Sequence, residues 1–266
     1  MIGAIVGDVA GSRFEFANHR SKKFELLADE CFATDDSMMT LALAKALLEC
    51  KADKSDLSQK AVEWMQTIGR RYPNSGYGGL FWEWLLEKNP QPYGSWGNGA
   101  AMRVSSVGWA ASSLDEALVL SDAVTAVTHN HPGGIEGARA TVSAMWLARE
   151  GKTREEIKAH IEEHYYKINF TLDEIRPTYH FEPDCQGTVP QALEAFFEST
   201  GFEDASRNAV SIGGDSDTLA AITGSVAECY WGVPADIIKR TRHFLDPYQL
   251  SILDEFNARY PAKPLR

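Results

Sequence analysis

An all-α fold is what this sequence predicts, and three observations predict it. Apolar residues recur at helical spacing through most of the chain. No series of alternating strands separated by hairpin turns accompanies them. No G-x-G-x-x-G follows a strand, which leaves a doubly wound nucleotide-binding sheet without support. Met38–Leu48 (MMTLALAKALL) is rich in strong helix formers and apolar on more than one face, as a buried helix is. Further helical stretches follow at Leu57–Gly69, Ala117–Val127, Ile135–Arg149, Glu155–Tyr165, Pro190–Glu198 and Leu219–Trp231, and Ile237–Phe244 and Tyr248–Tyr260 read as two closing helices. The β-prone pieces Ile168–Leu172 and Tyr179–Phe181 are short and isolated. No Pro/Gly/Ser-rich linker divides the chain, so residues 1–266 are expected to form a single domain.

Composition narrows the function classes. With 44% hydrophobic and 24% charged residues and no low-complexity tract, the chain belongs with ordinary globular proteins and not with disordered ones. Its 37 acidic against 26 basic residues give a formal net charge of −11, and no long Lys/Arg run offsets it, so binding of duplex nucleic acid is not expected. A phosphate-bearing ligand would need local positive charge, which bound cations could supply. Cys31, Cys50, Cys185 and Cys229 lie far apart without C-x-x-C spacing, unlike a disulfide framework or a zinc ribbon. The opening Met1–Asp8 lacks a basic region and meets an acid at position 8, and no run of about 18 apolar residues occurs. Neither a signal peptide nor a membrane association is expected; a cytoplasmic location is.

Four polar, glycine-bearing interruptions precede apolar helical runs: Gly7–Phe16, Ala33–Ser37, Gly94–Arg103 and Gly213–Thr218. They read as functional loops on a helical scaffold. Two of them carry aspartates, Thr34-Asp35-Asp36-Ser37 and Gly213-Gly214-Asp215-Ser216-Asp217-Thr218. Taken singly, each is explained equally well as a helix cap. Together they hold more carboxylate than two caps require. If the two helix starts face each other, four aspartates converge, and such a site must take up protons or bind cations. Oxygen ligands of this kind suit Mg²⁺ or Mn²⁺, not zinc. Asp215-Ser216-Asp217-Thr218 also matches the D-x-D-x-T of haloacid-dehalogenase-type phosphohydrolases, but that motif should end an apolar strand early in an α/β chain.

The loop Ser95–Arg103 (SWGNGAAMR) lets backbone N–H groups approach a phosphate, although an Asn-Gly turn is common in any protein. Thr128-His129-Asn130-His131-Pro132 lacks the i,i+4 spacing of a zinc pair, so a ligand contact or a supporting role fits it better than metal ligation. Glu15 stands between Phe14 and Phe16, where desolvation would raise its pKa toward a catalytic value; the plain alternative is a surface acid in a polar turn.

Taken in order, IVGDVAGSRFEF, ATDDSMMTLALA, SWGNGAAMRVSSVGW, THNHPGGIEGA and GGDSDTLAAITGSVAECYWG closely resemble the ADP-ribosylglycohydrolase family over about Ile2 to Gly232. The resemblance implies a compact, orthogonal, all-α multi-helix domain with a binuclear Mg²⁺ or Mn²⁺ centre held by Thr34, Asp35, Asp36, Asp215, Asp217 and Thr218. It implies an ADP-ribose pyrophosphate on Gly97, Asn98, Gly99, Ala100, Ala101 and Met102, with His129 toward the ligand, and Glu15 as the catalytic glutamate. Ser37 replaces a threonine common in the family and keeps its hydroxyl. The implied reaction cleaves the glycosidic bond between ADP-ribose and a modified protein or small conjugate, by a monomer. The rival readings are a metal phosphohydrolase and a non-catalytic ADP-ribose-binding module.

Overall fold

The computed structural model describes residues 1–261, and all regular structure among them is helical. The helices are α1 (Ile2–Gly11), α2 (Asp35–Glu49), α3 (Leu57–Arg71), α4 (Gly79–Leu86), α5 (Gly99–Met102), α6 (Ser105–Ala110), α7 (Leu114–Thr125), α8 (Pro132–Arg149), α9 (Arg154–His164), α10 (Leu172–Ile175), α11 (Cys185–Phe197), α12 (Phe202–Val210), α13 (Ser216–Trp231), α14 (Ala235–Thr241) and α15 (Pro247–Arg259). Short 3-10 turns follow α1 at Ser12–Phe14 and α14 at Arg242–Phe244. One antiparallel bridge, Gly97 to Asp184, is the sole β pairing among the described residues. No helix among them is long and apolar enough to cross a membrane.

Two helices form the interior. Every residue of α13 from Ser216 to Cys229 is buried, because α1, α8, α11 and α12 all pack on it. In α2, Asp36 to Ala44 is continuously buried among α1, α3, α6 and α15. Helices apolar all round belong in such places.

Half of the Gly7–Phe16 loop expected from the sequence is the end of helix α1, and a 3-10 turn continues it to Phe14. Its glycines serve packing and not a turn. Gly3, Gly7 and Gly11 recur every four residues, so they share one face. That face lies directly on the α13 backbone. A Cβ at Gly7 would stand 1.9 Å from the Ala220 carbonyl oxygen, one at Gly3 2.4 Å from that of Gly224, and one at Gly11 2.4 Å from that of Ser216. The order of these pairs makes the two helices antiparallel, which puts the end of α1 beside the start of α13. Parts of the other expected loops are helical as well: α5 occupies Gly99–Met102, and the first turns of α2 and α13 include Asp35–Ser37 and Ser216–Thr218.

Candidate active site

The starts of α2 and α13 meet. Thr218 Oγ1 in the first turn of α13 donates to Asp36 Oδ2 at 3.2 Å, across 182 positions of sequence. Glu15, Asp215 and Asp217 offer carboxylate oxygens within 4.8 Å of one another, as do Asp8, Asp36 and Asp217. Capping does not account for these acids. Thr34 caps α2 by accepting the Asp36 N–H at 3.3 Å, which leaves the Asp35 and Asp36 carboxylates free of that task. Asp215 stands at the N-cap of α13 and makes no side-chain cap bond; only Asp217 Oδ1 accepts a nearby backbone N–H, from Thr218 at 3.0 Å.

The cluster stores electrostatic strain. Burial, followed by the field of Asp8 and Asp215, pushes Asp35 up to about 8. Burial and neighbouring carboxylates drive Asp36 and Asp217 well above the usual carboxylate range, and burial raises Asp215. Asp36 Oδ1 is buried without any hydrogen-bond donor. A shielded carboxylate oxygen with no donor, among oxygen-only neighbours, is chemically suited to a hard cation.

Sequence reasoning missed the part played by Asp8. It is fully buried on α1 and accepts Thr34 N–H at 3.0 Å, Thr34 Oγ1 at 2.6 Å, Ser37 N–H at 3.0 Å and the Ser37 hydroxyl. These donors occupy both its oxygens, so Asp8 fixes the start of α2 in place and has little left to offer a metal. Burial still raises it to about 6. An acid inside the apolar run IVGDVA was the available signal.

Glu15 follows the 3-10 turn after α1. Its segment is tied to the α13 start by Asn18 Oδ1, which accepts the Gly214 N–H at 3.1 Å. Gly213 and Gly214 both hold positive φ, +75° and +72°, which other residues adopt with strain. The Glu15 carboxyl rises to about 7, first through burial and then through Asp215 and Asp8. Its flanking aromatics matter less than expected: Phe14 packs inward against His19 and Phe24, whereas Phe16 is 85% exposed and stacks on Phe181.

The glycine loop lies over His129. The Nε2 of His129 is 3.3 Å from where a Cβ on Gly99 would stand and 3.4 Å from one on Gly97. Most of the loop's N–H groups are engaged: Gly97 with Ser95 Oγ, Asn98 with the Pro183 carbonyl, Ala100 with that of Gly97, Ala101 and Met102 with that of Asn98. Within Gly97–Met102, the Gly99 N–H alone has no acceptor among the described residues. The Asn98 side chain turns to the acids, donating to Asp215 Oδ2 at 2.7 Å. Ala100, Ala101 and Met102 are buried, with Met102 Sδ 3.9 Å from Thr218 Oγ1. His131 caps α8 through Nδ1 and the Gly133 N–H. The D-x-D-x-T reading fails here, since Asp215 follows helix α12 and a glycine turn and ends no strand.

The chain is thus helical throughout its described regular structure, with interior carboxylates converging from two distant helix starts. The ADP-ribosylglycohydrolase family profile matches residues 1–262, so the chain belongs to that family, whose reaction is hydrolysis of ADP-ribose linkages. ADP-ribosylhydrolase ARH3 of Mus musculus is 25% identical, covering 88% of this chain and 83% of its own length. ADP-ribosyl-[dinitrogen reductase] glycohydrolase of Rhodospirillum rubrum is 28% identical over 75% of this chain and 69% of its own. ADP-ribosylarginine hydrolase Tri1 of Pseudomonas putida (strain GB-1) is 26% identical over 88% and 70%. The fold is shared with the solved structure of an ADP-ribosylglycohydrolase-related protein complex, at a TM-score of 0.71 and 22% identity over 97% of this chain and 94% of that one.

Proposed function

We propose that residues 1–266 act as one catalytic unit, a divalent-metal-dependent hydrolase that releases ADP-ribose from an ADP-ribosylated protein or a small conjugate. The observation that carries this reading is the approach of the Glu15, Asp215 and Asp217 carboxylates to within 4.8 Å of one another, beside the donor-less Asp36 Oδ1. Thr34, Asp35, Asp36, Asp215, Asp217 and Thr218 would hold two Mg²⁺ or Mn²⁺ ions. Such ions, when bound, hold ribose hydroxyls and lower the pKa of water.

The remaining work belongs to the chain's own residues. Breaking the glycosidic bond leaves positive charge on the ribose carbon, which water then attacks. Glu15, raised to about 7, stands near the balance between acid and base at neutral pH, so it can take a proton from attacking water and return one to the leaving acceptor. Asn98 holds Asp215, and Asp8 holds the start of α2, so the acids are oriented before substrate arrives. Gly99 N–H and His129 receive the pyrophosphate. This arrangement differs from the usual carboxylate-pair glycosidase, so carboxyl separation does not report stereochemistry here.

The test is a panel of defined ADP-ribosylated peptides and small conjugates, incubated with metal-free enzyme and with added Mg²⁺ or Mn²⁺. Release of free ADP-ribose restored by metal is expected. Full release by metal-free enzyme would overturn the metal role, and liberation of inorganic phosphate from nucleotides in its place would favour a phosphohydrolase.

A further inference from the structure

Arg103 is 1% exposed and stands directly after the glycine loop. No carboxylate among the described residues lies within ion-pairing distance of it, and its Nε has no hydrogen-bond partner. The Phe81 ring, 5.7 Å from the guanidinium carbon, gives it only a cation–π contact. Burial lowers its pKa to about 10, so it remains a cation at neutral pH. Tyr93, Cys185 and Asp35 favour its charge only from beyond contact, and a buried cation with no contact ion pair destabilises a fold.

Its polar contacts show the use. The same guanidinium nitrogen donates to Thr128 Oγ1 at 2.5 Å and approaches His129 Nδ1 at 3.3 Å. Thr128 Oγ1 itself lies 2.7 Å from that Nδ1. Arginine can only donate, and a hydroxyl that accepts from arginine sends its own proton onward. The Thr128 hydroxyl has a second acceptor in the Thr125 carbonyl, but at 3.4 Å against 2.7 Å to Nδ1, so both the Arg103 and the Thr128 contacts make His129 Nδ1 an acceptor. Burial and Arg103 together push the His129 pKa well below its ordinary value, so the ring is neutral and carries its one proton on Nε2. That Nε2 is the atom facing Gly97 and Gly99.

We propose that Arg103 is a positioning residue: directly and through Thr128 it locks His129 as the Nε2–H tautomer, so that the imidazole presents a donor to the pyrophosphate, and its buried charge makes this end of the cleft select an anion. The inference rests on the placement of ADP-ribose at the glycine loop, but the tautomer is defined without any ligand.

The experiment is nitrogen-15 NMR of the histidine rings in the whole protein, with calorimetry of ADP-ribose and of adenosine, for the native chain, Arg103→Met, Arg103→Lys and Thr128→Val. The native ring is expected to show a protonated Nε2. Arg103→Met should shift His129 toward the Nδ1–H form and weaken ADP-ribose by about 10- to 100-fold, as loss of a charge-supported hydrogen bond does, with adenosine affinity unchanged. Arg103→Lys should recover part of the ADP-ribose affinity, and Thr128→Val should shift the tautomer while keeping the cation. An Nδ1–H ring in the native protein, or unchanged His129 signals in both Arg103→Met and Thr128→Val, overturns the proposal. If the tautomer responds as expected but ADP-ribose leaves the His129 signals unmoved, the placement of the ligand is overturned and the tautomer lock stands.

Discussion

Replacing Asp35 with asparagine should make the metal-free protein more stable and the metal-loaded protein less so. The Asp35 carboxyl is raised from 3.8 to about 8, so at pH 7 the folded chain must hold a proton that the unfolded chain releases. At about 1.4 kcal/mol per pH unit between 3.8 and 7, that is about 4 kcal/mol against folding. Asp35 is only half-buried and shares protons with its neighbours, so about 2 kcal/mol is a sound expectation after screening. Asparagine keeps the shape and needs no proton. For a chain of this size the gain amounts to roughly 4–8 °C in the melting temperature. The advantage should shrink to a few tenths of a kcal/mol near pH 4, vanish below about pH 3, where Asp35 is protonated in both states, and grow as pH rises toward 8. Metal at about 100 times its Kd should stabilise the native protein by about 2.7 kcal/mol and the variant far less, so the two melting curves should exchange order. Calorimetric melts at pH 4, 6 and 8, with chelator and with Mn²⁺, check this. A variant melting lower than the native protein without metal, and still stabilised fully by Mn²⁺, would refute both the strain and the ligand assignment.

Glu15→Gln should bind metal and ADP-ribose normally by calorimetry while ADP-ribose release falls by about 10²–10⁴, the usual loss for a general acid or base; near-full turnover removes its proton role. Gly99→Val should weaken ADP-ribose and leave metal binding intact, because its Cβ would stand 3.3 Å from His129 Nε2, where the pyrophosphate is proposed to bind; unchanged ADP-ribose affinity in a folded variant removes the loop from the site. Gly7→Ala should lower stability by about 3 kcal/mol or more in urea melts, since overpacking at a backbone contact outweighs the roughly 1 kcal/mol of helix propensity that alanine adds; a more stable variant would mean that α1 and α13 are not in backbone contact.

Much of this was legible in the sequence, and the failures share a cause. Met38–Leu48 and Leu219–Trp231 read as helices because their apolar residues surround the axis, and both lie in the interior. α1 did not, because glycine signals either a turn or a close helix contact, and only the partner helix decides which. α4 and α12 went unremarked between the stronger runs. Asp35, Asp36, Asp215 and Asp217 stood out by density, but their convergence depends on packing that local sequence does not encode. Asn98 was expected only as part of the glycine loop, and its bond to Asp215, like the contacts of Arg103 with Thr128 and His129, joins positions dozens to more than a hundred apart that no spacing rule connects.

The glycine seam between α1 and α13 also bears on how the molecule comes into being. Its two faces are separated by more than two hundred residues, so the seam closes only after almost the whole chain is available. Until then α1, buried along its entire length in the finished protein, has nothing to cover it, and a ribosome adding roughly 5–20 residues per second leaves it waiting for ten seconds or more. Assembly of the acid cluster is therefore a late event in folding, and chains cut short before α13 should carry an exposed apolar first helix and only the α2 half of the acid cluster.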